Sequence, residues 1–100
     1  MPATRLTPEA LEGALTSLPH WSLNEGKLRR TYVFADFVDA FAFMTASALR
    51  IQEMDHHPEW SNVYNTVRVD LVTHDAKGVT ARDVELAGKM EMLAARWLPA

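Results

Sequence analysis

Apolar residues recur along the chain at helical spacing in some stretches and at alternate positions in others, and the changes mark out its elements. Leu11, Ala14, Leu15 and Leu18 repeat as one face of a helix. Thr7-Pro8-Glu9 supplies its start: a capping hydroxyl, a proline suited to the first helical position, and an acid near the positive end of the dipole. Pro19 ends it. Alternation then takes over. Trp21 and Leu23 belong to a short strand, Asn24-Glu25-Gly26 makes a turn, and residues 28–34 return as a strand rich in β-branched and aromatic side chains.

Asp36 opens a long helix that runs to about Met54. Phe37, Phe41, Met44, Ala48 and Ile51 form one stripe, widened by Val38, Ala42 and Leu49, and this stripe is the expected core face. Pro58 stops the helix from continuing through His56-His57, because the residue before a proline is pushed out of the α region. The two histidines therefore fall at a helix-to-strand junction. Farther on, Val67, Val69, Leu71 and Thr73 point to one side of a strand, and Arg68, Asp70, Val72 and His74 to the other. A turn near Asn65-Thr66 would pair residues 61–64 with residues 67–73 in a second hairpin. After the loop Asp75-Ala76-Lys77-Gly78, Thr80 to Asp83 reads as a near capping box, followed by a stripe of Leu86, Met90, Leu93 and Trp97. The expected fold is α+β, in the order α-β-β-α-β-β-α. Two hairpins join in a four-stranded antiparallel sheet with helices packed on one face, leaving the other for function or a subunit contact.

Composition narrows the picture. One hundred residues suit a single domain over residues 1–100, and 48% hydrophobic content is that of a globular chain. A core this small leaves a thin margin of stability, which favours a homodimer or homotetramer. A net charge of −3 with scattered basic residues argues against nucleic acid as a partner. The absence of cysteine removes disulfides, thiol nucleophiles and thiolate metal sites. No apolar run approaches spanning length and the first residues lack a signal core, so the expectation is a cytoplasmic protein without a membrane partner.

Chemistry concentrates in the histidines. His56 and His57 precede the second hairpin and His74 follows it, and a hairpin brings its two ends together. Imidazole titrates nearest neutrality and serves proton transfer in either direction. A zinc site built from His56, His74 and a carboxylate is the rival reading. The adjacent pair, however, lacks the i, i+4 helical spacing that aims two imidazoles at one ion, so no metal is expected. His20, between Pro19 and Trp21, reads as an ordinary surface or core histidine. Isolated glycines make no phosphate loop, and neither Ser47 nor Ser61 stands in a nucleophile elbow.

Asp55-His56-His57-Pro58-Glu59-Trp60, then Asn62-Val63-Tyr64-Asn65, then Leu71-Val72-Thr73-His74, then Asp83 resembles the signature of the pterin-4a-carbinolamine dehydratase family. Leu18-Pro19-His20-Trp21 and Ala40-Phe41-Ala42-Phe43-Met44 extend the likeness over about residues 7–97. The resemblance implies a dehydratase that converts 4a-hydroxytetrahydropterin to quinonoid dihydropterin and water, in the recycling of tetrahydropterin used by aromatic amino acid hydroxylases. It implies no cofactor, the pterin being the substrate. His56, His57 and His74 are the expected catalytic residues, with His57 and His74 as the acid/base pair and His56 chiefly orienting substrate while sharing in proton transfer. Asp55, Thr73, His74 and Asp75 would hold the ring's polar edge, and Trp60 would wall the pocket or sit in the core. Asp83 has two readings: a helix cap, which the capping-box spacing favours, or a support that hydrogen-bonds a histidine and fixes its tautomer. Some family members bind protein partners, as a transcriptional coactivator does, so a non-catalytic pterin-binding or protein-binding member is the alternative. Gln52 stands where the family usually carries an ionisable residue.

Overall fold

The computed structural model describes residues 4–100. Helix α1 spans Pro8–Thr16, and the Thr7 hydroxyl accepts from the Ala10 amide at 3.1 Å. It ends two residues before Leu18, which turns into the core. Strands β1, Ser22–Asn24, and β2, Lys27–Val33, pair antiparallel with Asn24 opposite Lys27. The two linking residues, Glu25 and Gly26, both have positive φ, 51° and 77°, as a turn matching the twist of a hairpin requires.

Helix α2 spans Phe37–Met54 and is capped by the Asp36 carboxylate, which accepts from the Asp39 amide. Strands β3, Glu59–Val63, and β4, Thr66–Leu71, form the second hairpin. Its turn is Tyr64-Asn65, one residue earlier than the expected Asn65-Thr66, and β3 starts at Glu59 rather than residue 61. Asn65 decides this position: its side-chain amide donates to the Phe34 carbonyl, and its own carbonyl accepts from the Phe34 amide, clamping the turn to the end of β2. Helix α3 spans Ala81–Ala94. The order is α-β-β-α-β-β-α, as expected, and the sheet order is β1-β2-β4-β3, all antiparallel. No helix among the described residues is long and apolar enough to cross a membrane.

Alternation sorts the sheet cleanly. Leu28 and Tyr32 of β2 and Val67, Val69 and Leu71 of β4 are buried on the face that carries the helices. On the opposite face lie Lys27, Arg29, Arg68, Asp70 and Glu59. Asp70 is nonetheless buried to 6% exposure, because Arg29 and Arg68 fold over it at 2.7 and 3.1 Å.

Helix α2 docks differently from the expected stripe. The buried positions are Ala40, Phe43, Ser47 and Ile51, whereas Phe37, Val38, Phe41 and Leu49 are exposed. The helix is apolar nearly all round, so hydrophobic content alone does not choose its inner face. Packing does. Phe43 enters between Tyr32 and Phe34, with ring centroids 4.6 and 5.2 Å away, while small Ala40 and Ser47 on the same face let the helix approach. The stripe on α3 follows expectation, with Leu86 and Met90 buried and Leu93 and Trp97 packed against the core.

One polar knot ties the sheet to α3. The Glu91 Oε1 accepts from Trp21 Nε1 at 2.8 Å, Arg30 Nη1 at 2.6 Å and the Tyr32 hydroxyl at 2.8 Å. The Arg30 guanidinium also stacks 4.1 Å above the Tyr32 ring. Burial, reinforced by the Glu91 charge, pushes the Tyr32 phenol far above its ordinary range, so it remains a donor. Removing the carboxylate strands a charge and two donors together. Glu91→Ala is expected to cost about 2–4 kcal/mol in urea unfolding, and Glu91→Gln, which keeps an acceptor oxygen, clearly less.

Candidate active site

The site forms where three elements meet: the C-terminus of α2, the open end of the β3–β4 hairpin, and the N-terminus of α3. Asp55 takes a left-handed conformation, φ 49° and ψ 46°, and its amide donates back to Gln52 and Ile51 carbonyls. Aspartate is one of the few side chains that tolerate this region. The reversal lifts the chain off the helix axis, turns His56 inward and leaves His57 outside. Arg82, in the first turn of α3, donates to the Met54 and Asp55 carbonyls at 2.8 and 2.9 Å. It thereby caps α2 from another element. On the far side, β4 continues through Val72 and Thr73 into a 3₁₀ turn, His74–Ala76, closed by the Thr73 amide on the Gly78 carbonyl.

These segments enclose a cavity of about 400 Å³ lined by Asp55, His56, His57, Pro58, Glu59, Val72, Thr73, His74, Asp75 and Arg82. The three histidines at the two ends of the hairpin are thus brought together, with Asp55 and Asp75. His20 is exposed and does not line the cavity. His56 is 6% exposed, and its Nε2 lies 2.6 Å from Asp83 Oδ1. His57 and His74 are exposed, and His74 Nε2 approaches Glu59 Oε2 at 3.3 Å.

Asp83 itself is fully buried behind the cavity. Its Oδ2 accepts from the Thr80 amide and the Thr73 hydroxyl, each at 2.8 Å, while Oδ1 faces His56. The Thr80 hydroxyl completes the capping box and lies 2.7 Å from the Thr73 hydroxyl. The two readings of Asp83 are therefore both realised: one oxygen caps the helix and the other holds the histidine. With imidazole neutral, the bond to Asp83 places the proton on Nε2 and leaves Nδ1 as the acceptor.

Two expected substrate contacts are placed differently. The Thr73 hydroxyl is engaged with Asp83 and Thr80, so Thr73 offers the cavity a wall rather than a free donor. Trp60 lies outside this cavity. It lines an adjoining hollow of about 220 Å³ with Ala48, Ile51, Gln52, His57 and Pro58, and packs partly buried against the core. His57 and Pro58 border both spaces.

Sequence reasoning missed Glu59 and Arg82. Glu59 follows the His-His-Pro step directly, and strand alternation puts it on the His74 face once the strand is extended back to residue 59. Arg82 sits between two capping residues and carries no local sign that it reaches across to α2. Among the described residues no three His, Asp or Glu side chains converge as a metal-binding group. What converges is a set of imidazoles and carboxylates around a polar hollow, an arrangement suited to moving protons on a small polar molecule.

The family model described as Pterin 4 alpha carbinolamine dehydratase matches residues 4–93. A Solibacter usitatus protein named "Putative pterin-4-alpha-carbinolamine dehydratase" is 51% identical over 92% of this chain and 97% of its own length. A protein of the same name from Rhodopseudomonas palustris is 55% identical over 95% and 96%. The crystal structure of a transcriptional coactivator/pterin dehydratase from Brucella melitensis superposes with a TM-score of 0.88 at 43% identity, covering 91% of this chain and 99% of that one. The fold this chain shares with that structure is a small α+β domain. The chain belongs to the pterin-4-alpha-carbinolamine dehydratase family.

The double use of Asp83 can be checked by comparing two variants. Thr80→Ala removes a cap and is expected to cost about 1–2 kcal/mol. Asp83→Ala also strands the Thr80 amide, the Thr73 hydroxyl and His56, and is expected to cost about 2–4 kcal/mol. Equal losses in denaturant titration would reduce Asp83 to a cap.

Proposed function

We propose that this chain is a cytoplasmic 4a-hydroxytetrahydropterin dehydratase working by histidine acid/base catalysis, without metal or redox cofactor. The observation that carries the reading is the convergence of His56, His57 and His74 on one cavity, with His56 tied to a buried carboxylate. The reaction breaks the C4a–O bond, removes the proton on N5, forms the N5–C4a double bond and releases water. It needs one proton delivered to the departing hydroxyl and one accepted from N5. His57 and His74, both exposed and both lining the cavity, exchange these protons. His56, with Nε2 occupied by Asp83, orients the ring. Asp55 and Asp75 meet its polar edge, and an aromatic amino acid hydroxylase is the reaction class that supplies the substrate.

The alternative is a non-catalytic member that binds a pterin or a protein. It draws on the exposed Phe37, Val38, Phe41 and Leu49 of α2, and on the Brucella melitensis relative being called a coactivator as well as a dehydratase. Turnover separates the two readings.

Dehydration of synthetic 4a-hydroxytetrahydropterin is expected to be accelerated by the purified chain and to survive dialysis against a strong chelator. His57→Ala and His74→Ala should each lower turnover by about 10²–10⁴-fold, the usual worth of general acid–base help. His56→Ala should act mainly on the apparent Michaelis constant. Absence of acceleration by the wild type would leave the binding reading, and metal-restored activity after chelation would replace acid/base chemistry by a metal.

The same apolar side of α2 supports self-association into a homodimer or homotetramer, since a small domain gains stability by covering it. Light scattering at micromolar concentration should give a multiple of the 11.3 kDa chain mass, and Phe41→Glu should shift it towards the monomer.

A further inference from the structure

Glu59 is the first residue of β3 and lies opposite Asp70 of β4, on the helix-free face of the sheet. Lys27, the first residue of β2, lies on the same face two positions before Arg29, which itself pairs with Asp70. Two long side chains therefore meet across β4, at the end where that strand runs on to His74. Lys27 Nζ binds Glu59 Oε1 at 2.5 Å, and Glu59 Oε2 stands 3.3 Å from His74 Nε2. Each carboxylate oxygen has its own partner, Lys27 on one side and the His74 ring on the other.

We propose that Glu59 is a positioning residue for His74: its carboxylate fixes the ring and acts on its charge, and Lys27, sharing that carboxylate, moderates the action. The inference rests on the acid/base reading of the site and extends it to a group outside the family signature's histidines and aspartates. His74 is 73% exposed in a short turn, and Glu59 supplies the only ion-pair contact to its ring among the described residues. The other charged or titratable groups around it are Asp75 in its own turn, Asp55 and His57 from the α2–β3 junction, and Arg82 from α3. None of these is in ion-pair contact with its ring, so the carboxylate at 3.3 Å is the nearest lever on its charge. The sign follows from Coulomb attraction: an anion beside an imidazole raises its proton affinity, and a cation sharing that anion lowers the effect. Lys27 feels the same carboxylate from the other side, and its hydrogen bond to Glu59 raises its own pKa.

A surface pair of this kind has little effect on stability, so unfolding experiments are the wrong test. The direct one is NMR titration of the His74 ring in the full chain, its resonance assigned with a His74→Gln variant. Glu59→Gln keeps the size and removes the charge. Removing that charge is expected to move the His74 titration to lower pH. Lys27→Gln, which frees the carboxylate, is expected to move it to higher pH. Both shifts should shrink in 1 M salt, where the Debye length is about 3 Å. In the dehydration assay, the pH profile of kcat/KM for Glu59→Gln should move in the same direction as the NMR value. An unmoved His74 titration in Glu59→Gln, or shifts of the same sign in both variants, would overturn the proposal. Loss of dehydration activity in the wild type would overturn the functional reading instead, and the NMR result would stand on its own.

Discussion

Asp83 is the carboxylate on which both the site and the packing around it depend. A fully buried charge is tolerated only when its oxygens are matched by donors. Here the donors come from three parts of the chain: the amide that starts α3, a hydroxyl beyond the end of β4, and an imidazole just after α2. Satisfying one group therefore draws together the three segments that enclose the cavity. Arg82, one residue earlier, reinforces the same junction by capping α2. Local folding and active-site geometry are in this way two results of one set of hydrogen bonds.

The sheet plays a complementary part. Its buried face is occupied by apolar and aromatic side chains, and the far end is fastened to α3 through Glu91. Its open face carries charges in register, with Asp70 between two arginines and Glu59 between Lys27 and His74. The central pair of strands, β2 and β4, holds this register because both are bonded on two sides. Residues at the hairpin's open end consequently occupy fixed positions even though His57 and His74 are themselves exposed. A rigid frame presenting accessible imidazoles suits a site that must exchange protons with substrate and solvent.

The chain belongs to the dehydratase family, and its three clustered histidines line one cavity. Gln52, the departure from the family pattern, lies beside His57 in the adjoining hollow with Trp60. Its neutral amide leaves that side of the site without a carboxylate. Negative charge gathers instead on the other side, at Asp55, Glu59 and Asp75.

Much of this was legible in the chain itself. Caps and breakers are local chemistry, so Thr7-Pro8, Asp36, Pro58 and Thr80 announced their helices and strands within a residue or two. The period of the apolar residues announced the element order, and a hairpin between His57 and His74 was enough to bring the histidines together. Choices between locally equivalent options were settled only by tertiary structure. Helix α2 offered two apolar faces, and the aromatic slot between Tyr32 and Phe34 selected Phe43 over Phe41. The second turn could fall at either of two steps, and the clamp between Asn65 and Phe34 chose the earlier. That choice of register, set by a contact 31 residues away along the chain, put Glu59 opposite Asp70 rather than Val72. Local periodicity can say which residues share a strand or a helix, but it cannot say which neighbour from a distant segment will meet them. Glu59, Arg82 and the second oxygen of Asp83 acquire their roles only from such neighbours.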